Sequence, residues 1–289
     1  MRGLVLSVAL LVAAAPVAGD EIGRFDSSEI AESSGLVRSR KYERVFWTHN
    51  DSGDRARIFA VTAEGRLLSE YTVEGARNVD WESIASDNNG SLFLGDFGNN
   101  ENRRTDLAIY QIEEPDPFGE GGVIPVTRQI RFRYREQSAF PDPSNRNFDG
   151  EALFFAGDRL YLLTKHRSDH RTVLYRLPEL TDHRQFEPEI VGEFDTGDTS
   201  VTGADATPDG RYLAVLTYLR VYIFERPADS DNYLSNLVKA IALDSSETKQ
   251  CEGLGWDGDS IYFTNEQSVI HRIVNPLTKA VTMYPATGR

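Results

Sequence analysis

A chain of 289 residues, 40% hydrophobic and 26% charged, is long enough for one large domain and too apolar for wholesale disorder. Its 45 Asp and Glu outnumber the 31 Lys and Arg, and the net charge of -14 repels a phosphate backbone and an anionic bilayer alike, which argues against nucleic acid as a partner. The 12 Tyr and 15 Phe against two Met favour pleated structure, where aromatic rings pack well.

Residues 1–19 have the order of a secretory signal. Arg2 supplies the positive start, Leu4 to Ala15 an apolar run too short for a bilayer span, and Val17-Ala18-Gly19 the small residues of a cleavage site before Asp20. The expectation is a secreted or periplasmic chain, without a membrane span after cleavage, folded as one domain over residues 20–289. Cys251 is the only cysteine, so an internal disulfide and a cysteine zinc site are excluded.

Five segments then repeat one order of short strand-like runs. Their openings are Ser34-Gly35-Leu36-Val37, Glu82-Ser83-Ile84-Ala85, Glu151-Ala152-Leu153-Phe154, Thr202-Gly203-Ala204-Asp205 and Glu252-Gly253-Leu254-Gly255. Each leads to an aromatic-aliphatic run, such as Val45-Phe46-Trp47-Thr48 or Ile261-Tyr262-Phe263-Thr264, and then to a third run, such as Arg57 to Val61 or Val269 to Ile273. Weaker fourth strands follow, for example Gln129 to Tyr134 and Glu189 to Phe194. The openings recur at about 50 residues with one longer interval, and period 2 dominates. This predicts an all-β fold, a five-bladed β-propeller of four-stranded antiparallel blades, in which radial repetition protects the sheet edges. Six blades would require Ile22 to Ile30 to form a degenerate one, and an irregular sandwich would leave the repeats unexplained. The Pro- and Gly-rich stretch from Glu113 to Val126 reads as a surface loop, and Tyr233 to Val238 as one short helix.

In a propeller the start of each first strand and the end of each second strand lie at one face of the disc. Two rings follow. The first holds Ser34, Glu82, Glu151, Thr202 and Glu252; the second holds Asp51, Asp96, Lys165, Tyr218 and Glu266. Carboxylates crowded at one channel mouth disfavour joint ionisation, so they must share protons, pair with Lys165 and Arg103, or hold a hard cation such as calcium. Glu82, Asp96, Glu151, Glu252 and Glu266 are the candidate metal ligands. The competing possibility is that each Glu caps backbone N–H groups and the channel holds water. Two polar loops, His49-Asn50-Asp51-Ser52-Gly53-Asp54 and Gly95-Asp96-Phe97-Gly98-Asn99-Asn100, reach the same face, and Asp80-Trp81-Glu82 enters beside them. Their plain explanation is turn formation. Their functional one makes His49, Asp51, Trp81, Asn99, Asn100, Arg103, Lys165 and Tyr218 candidate ligand-binding residues, with Trp81 read first as a packing wedge between blades and second as a stacking platform.

The set Trp47-Thr48-His49-Asn50-Asp51-Ser52-Gly53, Asp80-Trp81-Glu82, Gly95 to Asn100 with Arg103, Thr164-Lys165, Ala204 to Gly210 and Cys251-Glu252-Gly253 resembles a family of secreted bacterial β-propellers. It is more distantly similar to the SdiA-regulated and esterase-like phytase propellers, whose blades open with an Asp/Glu-Gly-Ile/Leu pattern. The resemblance implies a propeller and brings calcium and phosphoester hydrolysis into view; it implies no particular catalytic residue. Ser34 and Thr202 depart from it by replacing Glu in two openings.

Other motifs are absent or misleading. Gly253-Leu254-Gly255-Trp256-Asp257-Gly258 spells a dinucleotide fingerprint, yet a strand rather than a helix follows it. No phosphate loop, His-Glu-x-x-His or Gly-x-Ser-x-Gly elbow occurs, so no serine triad is supported. Two functions remain. The first is a module that binds a small polar ligand or a protein at the channel mouth and can hold calcium. The second is a calcium-dependent hydrolase of phosphoesters, esters or lactones, in which the metal polarises the substrate and Lys165 or Arg103 neutralises developing charge.

Overall fold

The protein is described by a computed structural model over residues 19–178 and 185–278, so the expected signal segment up to residue 18 lies outside the described residues. The chain opens with β1 (Asp20–Arg24). Blade one is β2 (Ser33–Arg38), β3 (Val45–Asn50), β4 (Arg57–Thr62) and β5 (Leu67–Glu74). Blade two is β6 (Trp81–Ser86), β7 (Ser91–Asp96) and β8 (Ala108–Glu113), completed, after the excursion β9 (Gly122–Pro125), by β10 (Arg128–Arg131). Blade three runs β11 (Asp149–Ala156), β12 (Arg159–Lys165), β13 (Arg171–Arg176), β14 (Glu189–Asp195). Blade four runs β15 (Val201–Ala206), β16 (Tyr212–Thr217), β17 (Arg220–Glu225), β18 (Leu237–Ala242), and blade five β19 (Cys251–Asp257), β20 (Ser260–Asn265), β21 (Val269–Val274). The architecture is the five-bladed propeller that the repeats predict.

Burial explains why the inner strands read as nearly continuous apolar runs. Each is covered on both faces by neighbouring blades, and β6 and β15 are buried at every residue. On β5, farther out, burial alternates: Ser69, Tyr71 and Val73 point inward between more exposed neighbours. The hydrophobic core is divided accordingly into clusters between successive blades. Trp47 and Trp81 fill the first gap, Phe93 and Leu162 the second, Phe154 and Val215 the third, Leu216 and Trp256 the fourth, and Phe46 and Ile270 the last. Each fully buried side chain of this kind contributes about 1.5–3 kcal/mol. Tight turns join the strands; Gly90 and Gly210, at φ +87° and +66°, occupy backbone regions that a Cβ would strain.

The structure decides between five and six blades and corrects two local expectations. Residues Ile22 to Ile30 form no sixth blade: β1 pairs antiparallel with β21, from Asp20 opposite Arg272 to Arg24 opposite Val269, and supplies the fourth strand of blade five. The ring is thus closed by joining the two ends of the chain. The stretch from Glu113 to Val126 is more than a loop, because β9 adds to blade one in parallel with β5, Tyr71 facing Gly122 and Val73 facing Ile124. Tyr233 to Val238 is a 3-10 turn of three residues, Tyr233–Ser235, before β18 begins at Leu237. There the buried Tyr233 packs against Phe154 and Tyr161 and donates its hydroxyl to Gly210 O at 2.9 Å.

The end of the axis opposite the expected mouth is crossed by side chains from non-adjacent blades. Arg40, after β2, reaches blade four, donating to Ala206 O at 2.9 Å and lying 3.4 Å from Asp205. Asn88 of blade two donates to Pro208 O at 3.1 Å. Among the described residues no helix is long and apolar enough to cross a membrane.

Candidate functional site

Each innermost pairing contains a β-bulge at the same place. The ladder skips from Ser33 to Gly35, Trp81 to Ser83, Gly150 to Ala152, Val201 to Gly203 and Cys251 to Leu254. The skipped positions are Ser34, Glu82, Glu151, Thr202 and, within a two-residue gap, Glu252. A bulged residue has no partner opposite it, and the local kink turns its side chain out of the regular alternation. The sequence places a carboxylate there in blades two, three and five.

The second ring is incomplete, and the ladders show why. Asn50, Thr164, Thr217 and Asn265 stand opposite the residue before the bulge, and Asp51, Lys165, Tyr218 and Glu266 each come one position later. In blade two the residue opposite Trp81 is Asp96 itself. A shift of one residue reverses the direction of a strand side chain, so the equivalent position belongs to Phe97, which is fully buried. Asp96 instead accepts from the Asp80 N–H at 3.0 Å and pairs with Arg104 at 3.0 Å, apart from the two acid clusters of the mouth.

Those clusters share Glu82. Oxygens of Asp51, Asp80 and Glu82 lie within 4.8 Å of one another, as do those of Glu82, Asp149 and Glu151. Their electrostatic surroundings differ. Lys165 Nζ stands 2.9 Å from Glu151 Oε1, Arg167 Nη2 stands 2.7 Å from Asp149 Oδ2, and the Asn99 N–H donates to Asp149. Lys165 also donates to the Tyr218 hydroxyl at 3.3 Å, which in turn donates to Glu252 at 3.2 Å, forming a chain across blades three, four and five. The cluster on blades one and two has no such support: among the described residues neither Asp80, Glu82 nor Asp51 is ion-paired, and the Glu82 carboxylate accepts no hydrogen bond although its residue is only 7% exposed.

The acidity of the rim follows from burial and mutual repulsion. Burial, then the charges of Asp51 and Asp149, push the Asp80 carboxyl up to about 6. Burial, then Glu151 and Asp149, hold Glu82 well above the usual carboxylate range. Glu252 is pushed up to about 7 by burial, with Lys165 pulling it back and Glu266 opposing. Burial pulls the Lys165 ammonium down, but Glu151 and Glu252 outweigh it and leave the group raised and charged. Glu151 is also held above the usual carboxylate range by burial, with Lys165 pulling it back.

His49 lies behind this rim. It is fully buried, with its ring edge-on to Trp81 at 5.5 Å and Nδ1 at 3.0 Å from Asn50 O; burial lowers it to about 4, so it is neutral. Trp81 is likewise fully buried and donates its indole N–H to Arg77 O at 2.8 Å, a wedge between blades rather than a stacking platform. Asn99 frames the loop, bonded to Arg104 N and Phe148 O. Asn100 is exposed, and its carbonyl accepts from Arg146. Arg103 is exposed and pairs with Glu101 at 3.1 Å, far from the role expected of it; the inward-turned arginine of that loop is Arg104, bonded to Gly98 O at 3.0 Å. Asp51 and Glu266 complete the outer rim, where the Asp51 carboxyl is raised by burial and then by Glu32, and that of Glu266 by burial and then by Glu32 and Asp51. Asp149 and Arg167 were not legible as site residues, although the spacing Asp149-Gly150-Glu151 repeats Asp80-Trp81-Glu82.

These shifts give a pH dependence with opposing parts. Asp80 and Glu252 have raised folded-state values, so their contribution to stability is present at low pH and is lost as pH rises through about 6 and about 7. His49 is depressed, so its contribution is present above the unfolded histidine value and is lost as pH falls toward about 4. With the protein stripped of cations, Tm is expected to be several degrees higher near pH 6 than at pH 8 and to fall again below pH 5. A melting series that rises steadily from pH 6 to pH 8 would contradict the burial of these acids.

Compared with known proteins, the chain matches no family model and no curated sequence. Among solved structures it is similar to a putative 6-phosphogluconolactonase from Bacteroides uniformis, at 15% identity and TM-score 0.44 over 86% of this chain and 69% of that one. It is also similar to the Cps50 (Swd1) β-propeller domain of Myceliophteria thermophila, at 11% identity and TM-score 0.45 over 88% and 98%. A third is virginiamycin B lyase from Staphylococcus aureus, at 16% identity and TM-score 0.42 over 84% and 66%. These are likenesses of backbone, and nothing about the chemistry of the rim follows from them.

Proposed function

We propose that this protein is an exported binding module whose channel mouth recognises a small positively charged ligand, a calcium ion included. The observation that carries the reading is the cluster of Asp51, Asp80 and Glu82, three carboxylates brought together with none of them in a direct ion pair among the described residues, Lys165 and Arg104 acting on them only from a distance. Like charges held this close raise the energy of the free molecule, and a ligand that brings positive charge and hydrogen-bond donors relieves it. Ionised carboxylates only accept hydrogen bonds, so a donor-rich cation, which also favours their ionised form, satisfies them where an anion cannot. The buried Trp81 offers no open ring face, which removes aromatic stacking from the recognition.

The test is calorimetric titration of the full chain, purified in chelator, with spermidine and with hexaamminecobalt(III) at low and high salt. Binding is expected at low salt, weakened at least tenfold by Asp51→Asn and unchanged by Glu120→Gln on the distant excursion. No binding, or equal binding by both variants, would remove the mouth as a recognition site. The hydrolase reading draws on a different observation, the Lys165–Tyr218 pair poised beside Glu151 and Glu252. It gains ground only if aryl esters, phosphomonoesters or lactones turn over and Tyr218→Phe abolishes the turnover.

A further inference from the structure

We infer that the groove between the outer strands of blade two and the loop from β5 to β6 is a second binding site, one that takes a small organic carboxylate. It shares no residue with the acid clusters of the mouth and is independent of what the mouth binds. The groove holds a cavity of about 650 Å³, within the range of about 300–1,000 Å³ usual for small-ligand sites. Strand alternation explains which side chains line it. In β10 the buried Ile130 packs into the cluster between blades two and three, so Gln129 and Arg131 face the other way, toward blade one. On β8, Tyr110 stands opposite Gln129 and Ala108 opposite Arg131, and both belong to the cluster shared with blade one.

The charge balance here is the reverse of that at the mouth. The two acids lining the cavity, Asp96 and Asp106, are both engaged by Arg104, whose guanidinium lies 3.0 Å from the first and 3.1 Å from the second. Arg77 and Arg131, which also line it, are exposed and have no carboxylate within ion-pairing distance among the described residues. Arg131 donates only to the Gln129 side-chain oxygen, at 3.3 Å. In a chain of net charge -14, two arginines without acids beside one cavity are a local excess of positive charge.

The wall and the loop select the class of ligand. Tyr110 is 4% exposed and its oxygen accepts from the Arg77 N–H, while its own hydroxyl proton has no acceptor among the described residues. A buried hydroxyl normally finds one, so this wall of the cavity offers a donor. The loop that carries Arg77 is fixed: Arg77 O accepts from the Trp81 indole at 2.8 Å, and Asn78 bonds Asp51 O at 2.8 Å and Trp81 N at 3.1 Å. Guanidinium groups match the planar carboxylate, and Val79, 44% exposed beside them, offers an apolar contact for a carbon skeleton. With Asp96 and Asp106 close by, singly charged carboxylate groups are favoured over a doubly charged phosphate.

The experiment is calorimetric titration of the full chain with succinate and with inorganic phosphate in low-salt buffer. One succinate per chain is expected, with phosphate binding more weakly. Arg131→Gln and Arg77→Gln, both at exposed side chains that leave the core intact, should each weaken succinate about tenfold, the loss of one charge-assisted contact. Tyr110→Phe, which keeps the ring and removes only the hydroxyl, should weaken it about threefold. Arg128→Gln, on the opposite face of β10, should leave it unchanged. Absence of succinate binding, binding that survives both arginine substitutions, or an equal loss in Arg128→Gln would overturn the site. Phosphate binding more tightly than succinate would overturn the choice of a carboxylate.

Discussion

A chain that begins after Phe25 is expected to melt roughly 10 to 20 °C below the intact domain and to self-associate. The truncation removes β1, which among the described residues is the strand that completes blade five beside β21. It deletes the ladder to β21 and the bond from Phe25 N to Ser268 O at 2.9 Å, and it removes Phe25 from the cluster around Phe46, Phe59 and Ile270. Ladder bonds contribute about 1 kcal/mol each and the buried phenylalanine about 1.5–3, so several kcal/mol are at stake. The outer edge of β21 would then lie open as a template for a second chain. Circular dichroism melts and size-exclusion chromatography check both parts. A truncated chain that melts like the parent would show that blade five closes without β1.

Replacing Lys165 by Met is expected to destabilise the domain by about 3–5 kcal/mol at pH 8, the usual penalty for breaking a buried ion pair from one side. Lys165 is 9% exposed at its side chain and Glu151 1%, so water cannot take over the lysine's role. Arg167, 3.7 Å from Glu151 and already bonded to Asp149, compensates only in part. The penalty should shrink as pH falls, because a protonated Glu151 no longer needs a cation. Adding Glu151→Gln to Lys165→Met should restore most of the lost stability. Denaturant melts of the single and double variants at pH 8 and pH 6 decide the matter. A neutral effect of Lys165→Met at both pH values would mean that Glu151 is already protonated in the native state.

Much of this was readable from the residues. The five openings locate β2, β6, β11, β15 and β19, and the carboxylates among them occupy the bulged positions, because a recurring structural unit writes a recurring pattern into its sequence. Closure was not readable. The partner of Asp20 is Arg272, and no local signal connects a short polar strand at one end with an edge at the other. The misplacement of Asp96 has a sharper cause: in blade two the strand ends one residue differently, and a count that matched the other blades in distance failed in direction. Arg103 and Arg104 illustrate the same limit, since adjacent loop residues of identical type are told apart only by which one finds Gly98 O and Asp96. Asp149 lies outside the recurring bulged position, and only the bulge at Glu151 brings the two carboxylates together, which strand alternation alone does not signal.

Arg40 and Asn88 lash blades one and two to blade four at the far end of the axis, ties between blades that share no neighbouring strands. The disc is therefore braced across its width as well as around its circumference, and a blade that loosens at one seam is still held from the other side.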